Sequence, residues 1–400
     1  MGRRFFTAVV LLTLVPAGAA GASVHGGAKP SRSWAASEIR AVTAAGLMGA
    51  KDDASFRPDE PLTAQTLEDL VFALKQTIFP PEPAPEPAPV PLPVPPPPVD
   101  PTVTAPTSTT TTTTTTTTTV PAPPVTAPAA AAPRKLTRPD ASVTMANLDL
   151  RLVQILGLSK AANEFYAGAR AAGLEVPGRF GTEVVARLLG LRTNHPAQED
   201  GLELLPSDHA TRAEAAYSAA QVLHFSGLEV ANVQRLADGF ALPELSNWQR
   251  AILDTAVARI GMPYIWGGTS DGQESPFGVG SRGGYDCSGF VWRVYKLEQY
   301  PASGSLPLVL RGRTTFQMSV EVPASKRVGL ANLEPADVIF FGDHGPRSKS
   351  AEIGHMGIYI GNGWFIHSSG QGVALATLDG WYEREFAWAR RPLAEAGLSG

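Results

Sequence analysis

The stretch YDCSGFVWRVYKL (285–297) holds Cys287, the one cysteine in a chain of 400 residues. Phe290, Val291, Val294 and Leu297 recur at helical spacing, which predicts a helix with those four facing inward and Cys287 in its first turn. The unpaired N–H groups and positive dipole end of a helix start favour an anion, so this placement is expected to lower the thiol pKa. Taken alone, the cysteine has three readings: a buried small hydrophobe, an intermolecular bridge, or a reactive thiol.

A catalytic thiolate needs an imidazole that takes and returns a proton. AEIGHMGIYIGNGWFIHSS (351–369) predicts a β-hairpin with its turn at Gly361-Asn362-Gly363. His355 and His367 lie six residues either side of Gly361, which sets them opposite one another across the two strands. One histidine then serves as base while the other orients it. His195, His209 and His224 fall in helical or loop context without such partners and read as structural. A thiolate with two imidazoles is also a metal-ligand set, but no HxxxH or CxxC pair accompanies it, so neither metal nor cofactor is expected.

Upstream, SNWQRAILDTAVARIG (246–261) opens with capping residues and aligns Ile252, Leu253, Ala256, Val257 and Ile260 on one helical face, with Gly261 as the stop. MPYIWGG (262–268) follows, then a polar, glycine-rich insertion, TSDGQESPFGVGSRGG (269–284), which runs into the cysteine.

MPYIWGG, DCSGFVWRVY, LEPADVIFF and HMGIYIGNGWFIHSS occur in the order and rough spacing of NlpC/p60-type cell-wall cysteine peptidases, and the region 246–394 resembles that papain-like family. The resemblance implies an α+β catalytic domain, with N-terminal helices packed on an antiparallel sheet, that cuts peptidoglycan stem peptides. It makes Cys287 the nucleophile, His355 the general base and His367 the residue that holds the imidazole. Tyr264 corresponds to a tyrosine near the nucleophile that helps bind the oxyanion, and Asp286 and Ser288 to positions that contact the stem peptide. The implied bond runs from D-glutamate to diaminopimelate or lysine. Two departures from the family pattern stand out: the long insertion at 269–284, and, in the Pro335-Ala336-Asp337 turn of LEPADVIFF, Ala336 in place of the usual glycine.

The rest of the chain fits an exported protein. Arg3 and Arg4, the apolar run Phe5 to Val15 and Ala20-Gly21-Ala22 read as a signal peptide over 1–22. No other apolar run is long enough to span a bilayer, so the mature chain is expected in the cell envelope or medium without a membrane span. A net charge of −4 offers no basic surface for nucleic acid. Residues 80–135 are Pro-rich and then Thr-rich, with threonine throughout 109–119. Proline at that density permits neither helix nor sheet, so this segment is expected to be a disordered tether.

Before the tether, SWAASEIRAVTAAGLMGAKDDASFRPDEPLTAQTLEDLVFALKQ (33–76) reads helix, turn, helix, with Thr63 as an N-cap and Leu67, Leu70, Val71 and Leu74 as an apolar face. It resembles an S-layer homology repeat through Trp34, Gly46 and FRPDEPLT (56–63), and 30–79 is assigned on that basis. Within 136–230 the pattern returns as a divergent copy at 162–191 and in LLPSDHATRAEAAYSAAQVL (204–223), whose TRAE spans 211–214. The resemblance implies an all-α repeat region that binds secondary cell-wall polymer, and such repeats bury their faces against one another. A purely scaffolding bundle is the alternative. For the whole chain, two others remain: a wall-binding protein with an inactive peptidase fold, and an amidase or acyltransferase on the same fold.

Overall fold

The computed structural model describes residues 33–49, 53–79 and 133–398. The signal segment 1–22 and all but the last three residues of the 80–135 tether lie outside them.

The first half is helical: α1 (Ala36–Ala44), α2 (Asp53–Phe56), α3 (Ala64–Ile78), α4 (Met145–Ile155), α5 (Ser159–Ala171), α6 (Phe180–Leu188), α7 (Arg212–Leu223) and α8 (Leu228–Asp238). Three of these helices start in the same way. Thr63, Thr144 and Thr211 are extended N-caps whose side chains accept the N–H of Thr66, Asn147 and Glu214. The residues just before them close a ring: Leu62 N–H donates to Ala210 O at 2.7 Å, Ala210 to Val143 at 2.8 Å, and Val143 to Leu62 at 3.0 Å. Segments on either side of the tether therefore pack together, as expected, around a three-fold arrangement of backbone pairs.

One detail differs from the sequence reading. The second cap-and-turn unit is RPDASVT at 138–144, which repeats RPDEPLT at 57–63, and not a unit within 162–191. That interval forms α5 and α6, whose caps make no side-chain bond. The amphipathic faces of 162–191 are real, but they carry no turn of this kind.

The second half begins with α9 (Asn247–Val257), which has a Ser246–Gln249 capping box, and Gly261 turns the chain at φ +88°. Next come β1 (Thr269–Ser270), β2 (Gly284–Tyr285), α10 (Cys287–Trp292), α11 (Leu306–Val309) and α12 (Thr315–Val320). They precede β3 (Val338–Gly342), β4 (Ile353–Gly361), β5 (Trp364–Ser369), β6 (Gly372–Thr377), α13 (Gly380–Glu385), β7 (Phe386–Arg390) and α14 (Pro392–Glu395). The main sheet is antiparallel with order β6-β5-β4-β3-β7, and α10 packs on β4 and β5. This is the expected α+β architecture.

The helical half and the sheet share one hydrophobic core. Phe165 of α5, Phe240 and Trp364 of β5 form an aromatic triangle with centroids 5.1–5.6 Å apart. The buried Arg187 of α6 donates to the carbonyls of Gly261 and Gln371, tying α6 to the segment that leads into the site.

Phe290, Val291 and Val294 are buried as expected, but Leu297 is 43% exposed. The chain widens into a π turn over Arg293–Leu297, so Leu297 rotates off the face that ideal helical spacing assigns it.

Candidate active site

The site begins with the start of α10. Asp286 is the N-cap, accepting the Gly289 N–H, and this sets Cys287 at the first helical position. The other Asp286 oxygen accepts the Gly267 N–H at 2.9 Å, which holds the glycine-rich turn after Tyr264 against the helix start. Glycine is required at this packing: a Cβ on Gly289 would lie 1.8 Å from Gly268 O.

The histidines come from the predicted hairpin, but their register differs. Ile358 pairs with Ile366 and Tyr359 with Phe365, with an irregularity before Gly361. Continued, that register sets His367 opposite Gly357 and leaves His355 on the diagonal. The bulge displaces the centre of the turn from Gly361, so the two are not directly opposed. They still share a face, and Gly357, without a side chain, leaves the rings room to meet. His355 Nε2 and His367 Nδ1 are 2.7 Å apart. Phe341 stacks on His355, and Phe365 and Tyr382 enclose His367.

Cys287 and His355 line one cavity of about 500 Å³, together with Tyr264, Trp266, Phe277, Asp286, Ser288 and Arg313. All the predicted residues except His367 thus face one space, and His367 stands behind His355, 3% exposed. Ser288 Oγ donates to Asp286 at 2.9 Å and accepts from Arg313 at 2.8 Å. Asp286 and Ser288 are therefore engaged with their neighbours as well as lining the wall.

The expected lowering of the thiol pKa is not what the site produces. Burial first, and the Asp286 carboxylate second, push Cys287 up to about 11. The hydroxyl of Thr315, 3.5 Å from Sγ, and the N–H groups of Ser288 and Met356 act in the opposite direction without prevailing. Burial also drops His355 to about 4 and takes His367 well below the ordinary imidazole range. Desolvation outweighs the helix-end donors, so the resting pair is neutral thiol and neutral imidazole. Burial raises the half-buried Tyr264 phenol.

Two contributions escaped sequence reasoning. RGRTTFQ (311–317) supplies Arg313, which braces Asp286, Ser288 and the Gly267 carbonyl, and Thr315 beside the sulfur. The visible signal was the capping box of Thr314 with Gln317. The insertion at 269–284 supplies Phe277. Its composition gave no sign of which residue would reach the cavity.

Residues 261–391 match the family model described as NlpC/P60 family, and residues 28–63 match the S-layer homology domain. The chain thus carries an NlpC/P60 domain downstream of an S-layer homology domain. Among relatives, 164 residues are 29% identical to a gamma-D-glutamyl-L-lysine dipeptidyl-peptidase of Bacillus subtilis, covering 40% of this chain and 47% of that protein. A stretch of 134 residues is 34% identical to the probable peptidoglycan endopeptidase LytE of the same organism, covering 33% of this chain and 30% of that protein. A solved NlpC/P60 family protein from Bacillus cereus is 28% identical over 38% of this chain and 42% of its own, with a TM-score of 0.28. The chain spans half or less of the length of these relatives.

Proposed function

We propose that this protein is an exported peptidoglycan hydrolase, a cysteine endopeptidase that cuts stem peptides through Cys287, His355 and His367. The observation that carries the reading is the shared cavity of Cys287 and His355, with the far nitrogen of His355 bonded to His367. The name of one relative, a gamma-D-glutamyl-L-lysine dipeptidyl-peptidase, supports a D-glutamyl bond to lysine, with diaminopimelate the alternative residue, and that of the other, a probable peptidoglycan endopeptidase, supports the substrate class.

For His355 to accept a proton at Nδ1, its Nε2 carries the hydrogen and donates to His367 Nδ1, which fixes both tautomers. A neutral thiol and a neutral base imply proton transfer as the sulfur attacks rather than a standing ion pair. Sγ bonds to the peptide carbonyl carbon as His355 takes the thiol proton, and the π electrons move onto oxygen. The Cys287 N–H and the Tyr264 hydroxyl stabilise that oxyanion, a donor of this type contributing about 3 kcal/mol. His355 protonates the departing amine, the thioester forms, and water attacks it with His355 again as base.

The S-layer homology domain and the three-fold cap arrangement support a wall-anchoring role for the helical half, with secondary cell-wall polymer as the ligand class. The test is digestion of purified sacculi by wild type and Cys287→Ala, with products read by mass spectrometry. New D-glutamate carboxyl ends from wild type alone are expected. Release of intact stem peptides from sugar would indicate an amidase, and equal release by both proteins would remove Cys287 from the chemistry.

A further inference from the structure

Next to the nucleophile's cavity lies a second one of about 470 Å³, lined by Ala197, Gln198, Asp200, Trp266, Phe277 and Val279 among others. Its size is that of small-molecule sites, roughly 300–1,000 Å³. The two spaces share Trp266 and Phe277 in their walls, so they lie side by side at these two rings. One wall of the second comes from the insertion and the other from the turn at 197–202 of the helical half.

The second cavity is built rather than incidental. Glu274 accepts the N–H of Thr269 and Ser270, and Glu274 and Ser281 exchange backbone bonds, so the tip of the insertion is pinned. Arg282 reaches Asp208 of the helical half at 3.7 Å. Phe277 sits at the tip with φ +52°, strained for an aromatic residue, and is 82% exposed, its ring packed over Gly267. Trp266 is 56% exposed, and its backbone N–H donates to the buried Asp200 carboxylate. Exposing two aromatic faces beside a cavity costs solvation that a bound apolar surface would recover.

We propose that this second cavity is a saccharide subsite that takes an N-acetylated amino sugar of the strand from which the stem peptide hangs. Two exposed aromatic faces suit the C–H face of a pyranose, and the Gln198 amide and Asp200 carboxyl suit its hydroxyl and acetamido groups. Adjacency to the nucleophile's cavity supplies the occupant, because the sugar is covalently joined to the peptide. This rests on the peptidase reading above and deepens it: the preferred substrate is a sugar-linked stem, and the helical half helps to recognise it.

The test uses full-length Cys287→Ala and calorimetric titration with two ligands of the same stem peptide, one free and one carrying its disaccharide. The disaccharide form is expected to bind at least tenfold more tightly. Ala197→Trp, which fills the cavity, and the exposed Gln198→Ala, which leaves the fold undisturbed, are each expected to shrink that ratio, the former to within twofold. Equal affinities, or a ratio untouched by both variants, overturn the proposal. So does preference for the free peptide that vanishes in Asp200→Asn, which would assign the carboxylate to an ammonium group. Failure of wild type to hydrolyse either ligand while the affinity ratio persists would instead sink the peptidase reading alone.

Discussion

Replacing His367 with alanine tests the histidine pair directly. His367 Nδ1 is 2.7 Å from His355 Nε2, and the pair is enclosed by Phe341, Phe365 and Tyr382. As His355 takes the thiol proton it becomes cationic, and the bond to His367 becomes charge-assisted. Such bonds contribute about 1.5–3 kcal/mol against about 0.5–1.5 for the neutral bond already made at rest, so kcat loses only the difference, about 1–1.5 kcal/mol or roughly 5- to 12-fold. KM should move little, since His367 lies behind His355 and does not line the cavity. His367→Asn places a carbonyl oxygen at about the reach of Nδ1 and is expected to recover most of the loss. Initial rates on a defined stem peptide give kcat and KM separately, and thermal melts of each variant account for fold damage. Alanine within threefold of wild type, or asparagine no better than alanine, would refute the hydrogen-bond argument.

Other consequences follow from burial and backbone geometry. His355 is held at about 4, so the neutral base is present from roughly pH 5 upward and kcat/KM should fall only as pH drops toward 4. The stability gained by keeping this ring neutral is present above its ordinary 6.5 and lost as pH falls through about 4; an acid limb centred at 6.5 or above contradicts both statements. Trp364→Ala removes the aromatic joint between α5 and the sheet and should cost about 3–5 kcal/mol in denaturant titration. Its unfolding should remain a single transition, because one core spans both halves; two separated transitions would show that the halves fold independently. Ala336 sits at φ +70°, where alanine costs about 1–2 kcal/mol against glycine's entropy penalty of up to about 1. Ala336→Gly is therefore expected to raise stability by up to about 1 kcal/mol, and a loss would show that the turn does not carry that strain.

The sequence by itself determined the local elements. Thr63 and Ser246 as caps, the face of α9, the start of α10 at Cys287 and the hairpin carrying two histidines are all readable from neighbours within one or two turns. These depend on spacing and on hydrogen bonds between nearby residues, which a linear pattern encodes. The tertiary structure decided what depends on distant segments meeting. It offset the histidines through a bulge, and it brought Arg313 and Thr315 to the helix start from about 25 residues downstream. It also joined a ring of backbone bonds across the tether and laid a turn of the helical half beside the nucleophile's cavity. The protonation state of Cys287 belongs to this second group. A helix start lowers a thiol's pKa, but burial raises it, and only the packed structure determines how much water the sulfur loses.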